Sequence, residues 1–549
     1  MKATQTILGF IVLLMIALLM IDVPVATAAD VAAQSILKSP HNLSASGPGK
    51  IKSTNEQQVC IFCHTPHNAS AVQPLWNRNL PVSAYRVYSS SSLIAKPGQP
   101  TGSSKLCLSC HDGTIALGSV LSMNRPLDFA NGVTTLPPGS TNLGTDLSGD
   151  HPISFTYDSD LATKNGRLTD PGALPQTVKL ENKQVQCTSC HDPHDNSRGK
   201  FLVMNNSNSQ LCDTCHKLAR QTTIAAHGQC VDCHQSHNAP SGAHLLVKAT
   251  VTDTCDACHG TAATTTGTNV AADITKISRH DKDDASPSLN RLSSKTSTNS
   301  VNCADCHEPH TMTTGMAAAP NLAPDLGKVS GMSASGAPLA RAKYTYEVCF
   351  KCHGDNADKP FISRQVVQNN VRLQFSPSAA SFHPVEAPGR GHDVPSLTPN
   401  LTTGSLIYCV DCHSSDSGTV GAKGPHGSNI VPLLVANYET MDGTSESSVA
   451  YALCYRCHER TSILSNQSFS RHSIYVVDQH TPCSVCHDGH GISSAQGTVM
   501  SNAHLMNFDT TVVRPDPISK RLAYQSTGPR SGKCYLLCHG KDHNGLSYP

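Results

Sequence analysis

Apolar residues gather in one long run, Ile7 to Ile21, and no second run follows it. Lys2 precedes the run; Pro24 and Ala26-Thr27-Ala28 follow it before Asp30. This is the three-part pattern of a cleaved export signal, predicted over residues 1–29. A retained anchor is the alternative, but spanning a bilayer takes roughly 20 apolar residues and Asp22 ends this run early. No cysteine near the cleavage site could carry a lipid. The mature chain is therefore expected to be exported and to have no transmembrane segment.

Beyond the signal, neither helical nor strand periodicity is sustained. Turn-rich stretches dominate, such as SSSSLIAKPGQPTGSS from Ser89 and NGVTTLPPGSTNLGTDLSGD from Asn131. Loops of this length are unusual in a compact domain. The predicted class is mostly irregular, with short α-helices of one or two turns at the cysteine motifs and little β.

Composition sharpens the problem. Of 549 residues only 38% are hydrophobic and 5% aromatic, with a single tryptophan, while cysteine reaches 24 and histidine 29. Without the signal and the cysteines the apolar share falls to roughly 32%, too little for ordinary cores. The 38 glycines and 34 prolines favour disorder in places. Charge argues otherwise: 41 basic against 40 acidic residues, interspersed, give neither a self-repelling chain nor a nucleic-acid-binding field.

The cysteines resolve this. All 24 fall into twelve pairs, each followed directly by histidine. The first six are Cys60, Cys63 and His64; Cys107, Cys110 and His111; Cys187, Cys190 and His191; Cys212, Cys215 and His216; Cys230, Cys233 and His234; Cys255, Cys258 and His259. The other six are Cys303, Cys306 and His307; Cys349, Cys352 and His353; Cys409, Cys412 and His413; Cys454, Cys457 and His458; Cys483, Cys486 and His487; Cys534, Cys538 and His539. Disulfides and zinc sites are the defaults for paired cysteines. Neither needs a histidine after every pair, whereas covalent haem attachment does. Positions i, i+3 and i+4 share one face of a helical turn, so two thiols can bond the vinyl groups while the histidine binds iron. Twelve haem c groups are expected. The last motif, Cys534-Tyr-Leu-Leu-Cys538-His539, has an extra residue, which on a regular helix rotates the second thiol by about 100°. It is expected to need a bulged or loosened turn, and is either a tolerated variant or an unusual haem.

The pattern resembles the multihaem c-type cytochromes of the doubled CXXCH type, found among exported cytochromes of metal-reducing bacteria. The motifs pair by position into six repeats: dihaem units at 30–150, 151–222, 223–275, 276–375, 376–470 and 471–549.

Seventeen histidines lie outside the motifs. Five stand three residues after the first motif histidine of a unit: His67, His194, His237, His310 and His490. His426 substitutes in the fifth unit. A second set lies upstream: His41, His151, His227, His280, His383 or His392, and His472 or His480. Together they offer one distal ligand per haem. A histidine three residues after the proximal one lies on that ligand's own side of the porphyrin, so His67 or His194 is expected to serve a neighbouring haem. The methionines do not repeat with the units, and mainly bis-histidine, low-potential iron is expected.

The expected function is electron conduction along twelve closely held haems. No nucleophile triad or phosphate loop appears. The alternatives are an oxidoreductase with one open haem, with His539 the place to look, and a polymerising filament subunit. The resemblance implies a periplasmic, outer-membrane or cell-surface location in a Gram-negative bacterium. It also implies redox partners such as other cytochromes or a porin conduit, with metal oxides as candidate acceptors. Twelve apolar macrocycles would replace the missing core, and their propionates would move the net charge from +1 to roughly −11.

Overall fold

The computed structural model describes residues 36–70, 75–218, 227–260, 269–280, 301–354, 362–391, 393–418 and 422–548. The predicted signal and His392 lie outside these residues. The chain divides into two compact units. One comprises Met1–Leu218 with Cys233–Val247, the other Ala219–Asp232 with Lys248–Pro549. As the sequence predicts, short helices interrupt a mostly irregular chain; small scattered sheets of two or three strands accompany them. Among the described residues no helix is long and apolar enough to cross a membrane.

Regular structure gathers at the motifs. The first motif of each repeat begins a single turn: Cys60–Phe62, Cys187–Cys190, Cys230–Asp232, Cys303–Cys306, Cys409–Asp411 and Cys483–Cys486. The second motif ends or overlaps a helix: Gly102–His111, Gln210–Cys215, Val251–His259, Thr345–His353 and Ala452–Tyr455. The turns close because the histidine N–H donates to the carbonyl of the first cysteine, for example His64 to Cys60 at 2.8 Å and His487 to Cys483 at 2.9 Å. The motif's own variable residues help. Asp305 Oδ2 accepts from the Asn302 N–H at 2.9 Å, and Asp411 Oδ2 from the Tyr408 N–H at 2.7 Å, satisfying donors that a helix start leaves unpaired.

A returning loop follows each single turn. The carbonyl of the second cysteine accepts an N–H from that loop: Asn77 to Cys63, Val203 to Cys190, Val247 to Cys233, Val435 to Cys412 and Asn507 to Cys486. The same bond recurs after five of the six first motifs.

The twelfth motif corrects the helical expectation. Cys534 lies on strand Ser531–Tyr535, paired with Ala523–Gly528 and Leu546–Tyr548. Cys538 ends strand Leu537–Cys538. Pro529 and Arg530 turn the hairpin, with Arg530 at φ 58°, as a turn of type II requires at that position. Gly532 is forced: a Cβ there would lie 2.4 Å from the Tyr524 ring. In extended chain, alternate residues share a face. Cys534, Leu536 and Cys538 accordingly pack into one apolar cluster with Val485, Phe508, Val513 and Tyr524. The third intervening residue does on a strand what two do on a helical turn: it puts both thiols on one side.

The core is a set of small clusters, most of them including motif cysteines. Ile61, Phe62, Leu117 and Phe129 pack with Cys63 and Cys110. Met332, Tyr346, Phe350, Phe375 and Val385 pack with Cys409. Each cluster is too small to stand alone as a domain core.

Candidate haem-binding site

The histidines of different motifs are oriented by a shared device. The Nδ1–H of His111 donates to the Thr141 carbonyl at 2.7 Å, that of His191 to Lys200 at 2.8 Å and that of His234 to His244 at 2.8 Å. His307 donates likewise to Asp325 at 2.8 Å, His413 to Pro432 at 3.2 Å and His487 to His504 at 2.7 Å. His458 Nδ1 bonds Ser396 Oγ at 3.0 Å. With Nδ1 engaged, Nε2 carries the lone pair, the arrangement a metal-ligating histidine adopts. Lys200, His244 and His504 present these carbonyls from left-handed backbone, at φ 53°, 65° and 57°. Backbone strain of this kind, of order 1–3 kcal/mol per residue, concentrates at functional sites.

Opposite the motif histidines stand other imidazoles. Ring centroids lie 5.9 Å apart for His64 and His194, 6.1 Å for His191 and His237, 6.1 Å for His307 and His426, and 5.8 Å for His413 and His490. Each of these pairs joins the first motif of one repeat to the next repeat. Within repeats, His111 faces His41 at 6.2 Å, His216 faces His151 at 6.2 Å, His259 faces His227 at 5.9 Å and His353 faces His280 at 6.1 Å. In the last repeat His472 faces the first motif, His487, at 6.4 Å. Two imidazoles sharing one metal ion, each bonded at about 2 Å, have centroids about 6 Å apart. Nine pairs thus fit a metal bound from both sides.

Other predicted ligands are held in different ways. His383 donates from Nδ1 to the Gly489 carbonyl at 2.9 Å and lies near enough to His458 to lower its pKa. His310 Nδ1 bonds Glu308 at 3.0 Å. His67 is exposed and, among the described residues, no imidazole faces it. His480 has a buried Nδ1 without a partner. His539 departs most: its Nε2, the iron-binding atom, bonds Asp442 Oδ2 at 2.8 Å.

The thiols of successive motifs adjoin. Cys107 lies beside Cys187, Cys349 beside Cys409 and Cys454 beside Cys483, each time linking one repeat to the next. Within repeats, Cys63 is in electrostatic range of Cys110, Cys190 of Cys215, Cys412 of Cys457, and Cys486 of both Cys534 and Cys538. Burial pushes the thiols of Cys63, Cys190 and Cys306 up to about 12. Protonated thiols in apolar clusters suit attachment to an apolar macrocycle better than thiolate ligation of a bare metal. Burial, reinforced by the facing imidazole, lowers His151, His413 and His426 to about 4, so these rings are neutral and can donate a lone pair.

Sequence reasoning missed Asp442 and the carbonyls that anchor Nδ1. The anchors fall 9 to 30 residues after their histidines, as for His191 and His111, with no side-chain signature.

Residues 335–498 match the family of outer membrane cytochromes, MtrC/MtrF-like, domains II/IV. Residues 181–221 and 223–264 match the doubled CXXCH motif. No curated protein matches the chain. With its repeated motifs and facing imidazoles, the chain is a multihaem c-type cytochrome of the doubled CXXCH type.

Proposed function

We propose that the protein is an exported dodecahaem conductor that passes electrons along its repeats to an outside acceptor. The nine facing imidazole pairs carry this reading, because iron with both axial positions filled exchanges electrons rather than binding substrate. When bound, each haem supplies a reversible one-electron couple. The chain's residues do the rest. Motif thiols fix each cofactor, adjoining thiols order the centres along the sequence, and Nδ1 acceptors hold the imidazoles and raise their basicity, which favours low potentials.

Four pairs bridge consecutive repeats, so axial ligation would also fasten one repeat to the next. The match to outer membrane cytochromes favours a position at the outer membrane or cell surface. Other cytochromes or a porin conduit would serve as donors, and metal oxides are candidate acceptors.

Voltammetry of the holoprotein adsorbed on an electrode tests the reading. One continuous low-potential envelope should account for the whole haem complement without added substrate. A complement that is mostly silent, or that responds only when a substrate is supplied, would overturn it.

A further inference from the structure

The centre at Cys534, Cys538 and His539 differs from the others in three independent ways. Its thiols lie on extended chain. Its histidine has left-handed backbone, φ 47°. Its Nε2 meets a carboxylate, where nine other motif histidines face an imidazole.

No imidazole faces His539 among the described residues. His472, the upstream histidine of this repeat, is taken by His487. The ring of His543 packs against Tyr475 and Tyr548, both with centroids 6.3 Å away, and not against His539. His480 touches the region through its backbone, its carbonyl accepting the Gly443 N–H at 3.0 Å. Asp442 is left as the facing group. Its Oδ2 is on His539, while its Oδ1 is buried with no hydrogen-bond partner. An unpaired buried carboxylate oxygen is costly unless a ligand or water completes it. The 2.8 Å contact is too short to hold a metal between the two side chains, which needs about 4 Å. Asp442 must therefore withdraw when the centre is loaded. Its turn, with Met441 72% exposed and Gly443 at φ 88°, leaves it room to do so.

Resting on the multihaem reading above, we propose that this twelfth centre has no distal histidine. Asp442 borders its open side, and the centre is a binding site for small molecules that ligate ferrous iron, carbon monoxide being the simplest probe. A carboxylate is a hard ligand suited to hard cations and holds ferrous iron weakly, so such a probe displaces it. The apolar wall of Val485, Phe508, Val513 and Leu536 around the thiols suits an uncharged probe.

The test uses full-length holoprotein, wild type, Asp442→Ala and Asp442→His. Ferric electron paramagnetic resonance should show a high-spin haem in the wild type. Dithionite-reduced wild type should take up carbon monoxide. Asp442→Ala should keep both properties. Asp442→His should convert the high-spin signal to low-spin and weaken carbon monoxide uptake at least tenfold. A wild type that is entirely low-spin and takes up no carbon monoxide, as when His480 supplies the ligand, would overturn the proposal. So would uptake that Asp442→His leaves unchanged. Failure of the broader reading looks different: haems absent, or predominantly high-spin, at the nine paired centres.

Discussion

His64 and His194 face each other at 5.9 Å although they belong to different repeats. His194 stands three residues after His191, yet His191 faces His237 at 6.1 Å. His194 therefore faces a motif histidine of the preceding repeat and not the one nearest it in sequence.

This handover makes a directional prediction. His194→Ala should disturb the His64 centre and leave the His191 centre six-coordinate. Electron paramagnetic resonance of the ferric holoprotein should gain one high-spin haem. A second substitution, His64→Ala, should add little further change in spin state at the others, since both residues act on one centre. Two independently altered haems would contradict the pairing.

Acid should destabilise the fold. Burial alone would raise the carboxyl of Asp273, but hydrogen bonds from Lys276, Ser415 and Ser417 outweigh it and hold the group below its ordinary value, and Lys276 and Asn429 do the same for Asp416. The unfolded chain therefore binds more protons than the folded one as pH falls through about 4, so this stability is present above that value and lost below it. The melting temperature should be level near neutrality and drop below about pH 5. A melting temperature that rises on acidification would contradict the Lys276 network.

Glu386 should act in the opposite sense. Burial raises its pKa to about 7, Arg372 lowers it in part and Glu347 adds to the rise. Its Oε1 is buried without a hydrogen-bond partner. The folded state holds this proton where the unfolded state has released it, so stability is full below about pH 4.5 and declines as pH rises through about 7. Glu386→Gln should raise stability at pH 8 by about 1 kcal/mol, after allowance for solvent screening, and change little at about pH 4. Denaturant titrations at the two pH values check this.

Arg78 is fully buried and donates to the carbonyls of Leu117 at 2.7 Å, Ala116 at 2.8 Å and Ser109 at 3.3 Å. Burial raises the thiols of Cys63 and Cys110, and Arg78 offsets part of that rise at both. Arg78→Met would remove a cation beside the first two centres and leave three buried carbonyls unpaired. The expected outcome is a loss of about 3 kcal/mol or more in stability. Where the variant folds, the two potentials should fall, because a nearby positive charge favours the reduced state. Unchanged potentials would show that the guanidinium is screened from both centres.

The parts of this fold that depend on local chemistry were legible in the sequence. Eleven CxxCH motifs read as helical turns, and the turns close on their own cysteine carbonyls. The shortage of core residues corresponds to small clusters that include the motif thiols. The twelfth motif misled because a helix was assumed. The Pro529-Arg530 turn and the room at Gly532 instead made a hairpin, on which the extra residue is the natural spacing. The facing pairs depend on tertiary structure that spacing alone does not specify. His194 and His426 could be proposed as distal ligands, but which motif each one faces is set by how neighbouring repeats pack. Asp442 lies 97 residues from His539 and belongs to no motif, so nothing local marked it.

The central claim is that haem c is attached throughout this chain and held mainly between paired imidazoles. Intact mass combined with near-infrared magnetic circular dichroism of the ferric holoprotein tests it most directly. The account predicts a mass increment of twelve haems and the charge-transfer signature of bis-imidazole iron at no fewer than nine. An increment well below twelve, or a spectrum dominated by methionine-ligated or high-spin iron, would contradict it.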